Sequence, residues 1–298
     1  MIFCIGEILA DLTIEKRDDG TRRESLCAGG APFNVACDIR ALGGKAGFFG
    51  STGSDKTGEM LKQEAERCGF DALFLRTSGR ATTLAYVEIS AGGERSFTFR
   101  ADGTSDDDLS FDDAVKFLTE NVAGSGDIVH FGSLMLRSAS GRKFAAEAAE
   151  FARSRGALIS FDVNLRNGLY VSTADAIRAT DTLLSASDIV KLSEEEAALI
   201  TGVSDPRTAA LSLAGSGKTV FVTLGSKGAY AARGNKIRYA PAVPVAAVDT
   251  TGAGDAFFAA VLLSLSRSDD IEEALNAGVR SGGIAVTLKG SNLLKGRA

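Results

Sequence analysis

The stretch from 157 to 192 carries Ala157-Leu158-Ile159-Ser160-Phe161-Asp162, a helical pattern over 174–186, and then Ser187-Asp188-Ile189-Val190-Lys191-Leu192. It reads as strand, helix, strand. Short apolar runs bounded by turn signals suit strands buried on both faces. Working outward, similar runs stand at 2–6, 46–50, 127–131 and 219–224, with another helical stretch at 138–155. This alternation predicts βαβ units, a mostly parallel sheet and helices on both of its faces. Ligands of such folds bind beyond the carboxyl ends of the strands, where strand order reverses.

Two segments break the rhythm. Residues 12–28 are polar and charged, with a turn signal at Asp18-Asp19-Gly20. From 82 to 102, Leu84, Tyr86 and Glu88 alternate with Ala85, Val87 and Ile89, and Gly92-Gly93 turns the chain into Ser96-Phe97-Thr98-Phe99. Together they predict a small β flap inserted into a single domain spanning 1–298. A surface meander or a dimer contact is the plainer alternative.

The chain has 298 residues, enough for one large core. At 45% apolar and 24% charged it reads as an ordinary globular protein. Its net charge of −5 argues against nucleic-acid and anionic-membrane partners, which need basic surfaces. No run has the length of a membrane span, and Glu7 and Asp11 interrupt the apolar start where a signal peptide would continue. Cys4, Cys27, Cys37 and Cys68 form no C-x-x-C pair. Idle thiols in a reducing cytoplasm are the expectation. His130 is the only histidine, which excludes multi-histidine metal sites, and its strand-like surroundings mark it as a strand-end or core residue.

Asp249-Thr250-Thr251-Gly252-Ala253-Gly254-Asp255 leads straight into Ala256-Phe257-Phe258-Ala259-Ala260-Val261-Leu262-Leu263. Small residues opening an apolar helix leave first-turn N–H groups, and the positive end of the helix dipole, facing an anion. The carboxylate of Asp255 in that turn suggests phosphoryl transfer with a built-in base. Ser212 to Thr219 imitates a P-loop, but Ser212 replaces the first glycine. The segment also follows a helix (205–214) and precedes a strand (219–224), the reverse of what phosphate binding needs. A dinucleotide fingerprint fails at Phe257, where a third glycine or alanine belongs, so a nicotinamide oxidoreductase is disfavoured. Gly29-Gly30-Ala31-Pro32-Phe33-Asn34 is a second glycine-rich helix entry, with Pro32 in the first turn. Alone, it is equally ordinary helix-start chemistry or a ligand loop with Asn34 aimed at the ligand.

These two motifs carry a resemblance. Gly29-Gly30 to Ala36 with Leu42-Gly43-Gly44 resembles the N-terminal signature of the ribokinase-like (pfkB) sugar kinases, and Asp249 to Phe257 resembles their C-terminal signature residue for residue. The resemblance covers the whole chain. Cys4-Ile5-Gly6-Glu7, Gly93 to Phe99, Asp162-Val163-Asn164-Leu165-Arg166 and Lys191 to Glu196 look most like the bacterial fructokinases. The 2-keto-3-deoxygluconate kinases share several of these features.

The resemblance implies a three-layer αβα fold with a mostly parallel sheet and a small β lid formed by 12–28 and 82–102. It implies ATP-dependent phosphorylation of a primary sugar hydroxyl, fructose first. Ketodeoxygluconate, ribose or nucleosides are the alternatives, as is an inactive binding protein on the same fold. It makes Asp255 the base, the amides of Gly252, Ala253, Gly254 and Asp255 the anion hole, and Arg166 a neighbour of the transferred phosphate. Asp11, Gly29, Gly30, Asn34, Arg100 and Asn164 fall on the sugar side. Lys191, Ser193, Thr223, Gly225, Gly228 and Asn276 fall on the ATP side, Asn276 near the adenine. Glu196 falls where relatives organise Mg²⁺ through water. Asp249, Thr251, Ala285 and Gly290 fall where relatives bind a monovalent cation such as K⁺. Ser193 stands where the family's N-x-x-E motif has asparagine, and Val163 where many fructokinases have proline. A homodimer through the lid is compatible with an apolar flap that leaves edges to cover.

Overall fold

The computed structural model describes residues 1–16, 21–89, 95–100 and 102–294. The turn signals at Asp18-Asp19-Gly20 and Gly92-Gly93 lie outside the described residues. The strands are β1 (Ile2–Ile5), β2 (Leu9–Lys16), β3 (Arg22–Gly29), β4 (Ala46–Gly53), β5 (Ala72–Ser78), β6 (Leu84–Ile89), β7 (Arg95–Arg100), β8 (Ile128–Phe131), β9 (Leu158–Asp162), β10 (Ile189–Ser193), β11 (Thr219–Thr223), β12 (Ala229–Arg233) and β13 (Lys236–Ala240). The helices are α1 (Ala31–Ala41), α2 (Lys56–Arg67), α3 (Phe111–Asn121), α4 (Ala139–Ser154), α5 (Thr173–Ala186), α6 (Glu194–Thr201), α7 (Pro206–Ala214), α8 (Ala253–Leu265) and α9 (Ile271–Ala285). Every strand and helix expected from the sequence forms. None of the described helices is long and apolar enough to cross a membrane.

The main sheet runs β13-β12-β11-β10-β9-β8-β1-β4-β5. It is parallel from β11 to β5, and β12 pairs antiparallel with both β11 and β13, so β12 alone runs against the other strands. Alternate side chains of each strand feed two separate cores. Phe3, Ile5, Val129, Phe131, Ile159 and Phe161 pack with α3, α4, α5 and α7 on one face. Ile2, Cys4, Phe48, Ile128 and Phe221 pack with α1, α2, α8 and α9 on the other. The apolar, unalternating sequences of β1 and β8 follow from burial on both sides. The chain grows from β1 in both directions, so strand order reverses at the β1–β8 boundary. The carboxyl ends of β1, β8, β9, β10 and β11 open on one side of this switch point.

The two rhythm-breaking segments form a second sheet, β3-β2-β6-β7. Its base is tied down by Asp106. That carboxylate accepts from the hydroxyls of Thr83 and, at 2.8 Å, Thr104, and pairs with Arg137 at 2.5 Å. The Asp106 and Arg137 side chains are 0% and 6% exposed. Removing one member of such a buried pair strands the other without solvent. Arg137→Met is expected to lower unfolding stability by ~3–5 kcal/mol in denaturant titration. A loss below ~1 kcal/mol would show that the threonine donors alone carry the carboxylate.

Candidate active site

Helix α8 opens with Gly252 as its N-cap at φ 75°, a left-handed conformation that suits glycine. A Cβ there would meet the carbonyl oxygen of Ser291 at 2.0 Å. The helical ladder begins at Ala256, whose N–H donates to Gly252 O at 2.9 Å. The amides of Gly254 and Asp255 therefore precede it, whereas Ala253 N closes a turn on Thr250 O at 3.3 Å. Asp255 is buried and accepts from Asn34 Nδ2 at 2.9 Å. Burial, helped by the charge of Asp162, pushes its pKa up to about 7 against the Asn34 bond, Lys191 and Arg166.

Asn34 comes from α1, whose N-cap Gly30 has φ 113° and lies hard against Glu7 O. A Cβ on Gly29 would stand 2.1 Å from Asp11 Oδ2, so the glycine is what lets that carboxylate lie over the chain. Asp11, Gly29, Gly30 and Asn34 thus gather at one rim, as the sequence suggested. Arg100 does not join them. It is exposed on β7, opposite Leu84, which in turn pairs with Ala10. Asn164 sits after β9 with φ 36°, its carbonyl accepting from Ser133 Oγ at 3.0 Å. Arg166 Nη1 lies 3.8 Å from buried Glu7 Oε1.

Lys191 ends buried in the same centre, its Nζ 2.9 and 3.1 Å from the Asp162 oxygens. Burial opposes its charge, but Asp162 and Glu196 outweigh it and its pKa is raised. Ser193 and Glu196 have a local explanation the motif obscured. Ser193 is the N-cap of α6, accepting Glu196 N at 3.2 Å, while Glu196 Oε2 accepts Ser193 N at 2.7 Å. This is a capping box, and it accounts for serine in place of asparagine. Glu196 Oε1 also accepts Leu165 N at 2.6 Å, tying α6 to the Arg166 loop. Burial raises the Glu196 pKa.

Beside the α8 turn lies a cavity of about 560 Å³, the size of a small-molecule site. Thr223, Gly225 and Gly228 form one wall, and Ala253 and Gly254 connect it to the α8 amides. Val243 and Val245 on the 242–247 segment, and Val279, Gly282 and Gly283 of α9, complete it. The sequence reading missed these residues. The Val-Pro-Val run at 243–245 and the glycine pair inside a helix were the available signals. Asn276 does not line this cavity. It is exposed on α9, one turn before Val279, which does line it.

Thr251, Ala285 and Gly290 line one small hollow, and Asp249 braces it by accepting Thr251 N at 2.9 Å and Gly290 N at 3.4 Å. Among the described residues no His, Cys, Asp and Glu cluster could hold a metal ion, so a cation here would rely on carbonyls. The P-loop imitation is inert. Lys218 Nζ donates to Ser185 O and Ser187 O at the amino end of β11, away from these groups. His130 is fully buried, bonded to Ser160 Oγ at 3.2 Å. Burial, with Lys191 nearby, lowers its pKa to about 3 and keeps it neutral.

Residues 1–295 match the model of the pfkB family carbohydrate kinases. The chain belongs to that family. This pfkB kinase is 34% identical to a fructokinase of Klebsiella pneumoniae over 87% of its own length and 83% of the relative's. It is 33% identical to an aminoimidazole riboside kinase of Salmonella typhimurium, over 97% and 90% of the two chains. A fructokinase double mutant from Vibrio cholerae, solved with fructose, ADP and potassium ion bound, superposes with a TM-score of 0.85 at 30% identity, covering 97% and 93% of the chains. As a pfkB sugar kinase, the chain is a phosphotransferase with an alcohol group as acceptor.

Proposed function

We propose that this sugar kinase transfers the γ-phosphoryl group of ATP to a primary hydroxyl of fructose. Asp255 carries the reading. It is a buried carboxyl with its pKa near 7, bonded to Asn34 on the sugar rim and preceded by two residues that wall the cavity. Phosphoryl transfer demands mainly positioning and charge stabilisation. Asp11, Gly29, Gly30, Asn34 and Asn164 orient the sugar, while the small sheet closes over it as a lid and excludes water. Asp255 takes the hydroxyl proton as the oxygen bonds to phosphorus, and ADP leaves into the cavity walled by Thr223, Gly225 and Gly228. The Gly254 and Asp255 amides, Arg166 and Lys191 offset the developing charge.

Magnesium bound with the nucleotide would neutralise phosphate charge. Glu196 would hold its waters, since each carboxylate oxygen retains a lone pair beyond its backbone bond. Asp249, Thr251, Ala285 and Gly290 would hold a monovalent cation such as the potassium of the Vibrio relative.

The riboside kinase of Salmonella typhimurium, almost as similar as the fructokinase, supports a second acceptor class. An ADP-release assay with fructose, ribose, ketodeoxygluconate, tagatose phosphate and aminoimidazole riboside separates the two. The highest kcat/KM is expected with fructose. A higher value with the riboside or the acidic sugar reassigns the acceptor. ATP binding with no turnover on any of them returns the chain to a binding role.

A further inference from the structure

Asp162 has no place in the mechanism above, yet it is 1% exposed. It ends β9 directly in register with Lys191 on β10. Both of its oxygens take the Lys191 ammonium, at 2.9 and 3.1 Å, which uses two of the three N–H groups. Lys191 Nζ also stands 2.9 Å from where a Cβ on Gly254 would be, so the ammonium lies against the α8 turn. A buried ion pair is poor evidence for stability, because desolvation consumes most of the attraction. Here, though, it fixes one cation at the point where charge must be met. Glu196 and Asp255 lie within electrostatic reach of the same ammonium.

We infer that Asp162 is a positioning residue for phosphoryl transfer. It pins the Lys191 ammonium beside Gly254, where the third N–H meets the transferred phosphate, and it places a fixed negative charge near the base. The inference rests on Asp255 being that base. Asp255 is faced by Asp162 from β9, Arg166 from the loop after β9, Lys191 from β10, and Asn34 and Asp38 from α1. Asp162 raises its pKa and Lys191 lowers it. Deleting either charge alone must therefore move Asp255 in opposite directions.

The test follows the Asp255 carboxyl by ¹³C NMR in the ligand-free protein, its resonance identified by its loss in Asp255→Asn. Asp162→Asn is expected to titrate below the native value of about 7, and Lys191→Met above it. In the acid limb of kcat/KM the same shifts appear. Lys191→Met loses ~10²–10³-fold in kcat with little change in sugar KM, and Asp162→Asn loses less. Because Asp162 acts through Lys191, the double variant is no slower than Lys191→Met alone. Unmoved titrations, shifts in one direction, or a multiplicative double variant overturn the inference. Should Asp162→Asn fail to fold, the upward shift in Lys191→Met and its kcat decide alone. Native-like turnover by Asp255→Asn would instead remove the base, a separate result that these variants do not mimic.

Discussion

Asp255→Asn is expected to lower kcat by ~10²–10⁴-fold, the usual cost of losing a positioned general base. Asparagine keeps an oxygen that can accept from Asn34 Nδ2, so the 2.9 Å contact, and with it sugar affinity, should persist. Calorimetric titration with fructose alongside steady-state kinetics separates the two effects. The native enzyme supplies the matching pH dependence. A base must be ionised to accept a proton, and burial raises the Asp255 pKa to about 7. The rate therefore falls as pH drops through about 7 and levels off above it, and the Asn variant lacks this limb. Turnover near the native rate in the variant would sink the assignment.

Gly252→Ala carries the second large effect, for two reasons that add. Left-handed backbone at φ 75° costs an L-residue ~1–2 kcal/mol. The new methyl would also lie 2.0 Å from the Ser291 carbonyl, a backbone atom that cannot swing aside. Relief requires the α8 turn to move, and the amides proposed to face the phosphate move with it. A loss of ~10²–10³-fold in kcat is expected, with a lowered melting temperature. Gly202→Ala is the control. Its φ of 71° imposes the same backbone cost, but nothing lies within 4 Å of the added methyl, and it caps α6 far along the chain from α8. It should lose stability and keep kcat. Equal kinetic losses in both variants would mean that instability alone explains the effect.

Much of this molecule was legible in its residues. The runs at 2–6, 157–162 and 187–192 are apolar without alternation because both faces of those strands are covered, and that pattern survives in one dimension. The reversal of helix and strand around Gly215–Lys218 exposed the P-loop imitation in the same way. The glycines at 29, 30, 252 and 254 announced close approaches, and in each case a neighbour occupies the space a side chain would need. Glu196 was read only as a metal-site residue because its capping role is a local bond that the motif also satisfies.

The pairings that make the site chemical were a different matter. Asn34 and Asp255 are separated by 221 positions, and Lys191 and Asp162 by 29. Nothing in either neighbourhood names its partner. By itself the sequence determined which segments become strands and helices, where the backbone must be glycine, and which family's chemistry the two signatures encode. Those properties depend on neighbours a few residues away. Only the tertiary structure decided that β9 and β10 lie in a register that seats an ammonium between carboxylates. It alone decided that α1 meets the first turn of α8, and that burial there holds Asp255 near neutrality. Such facts arise from packing two cores against a single sheet, and the electrostatics of the site are set by the water that packing excludes.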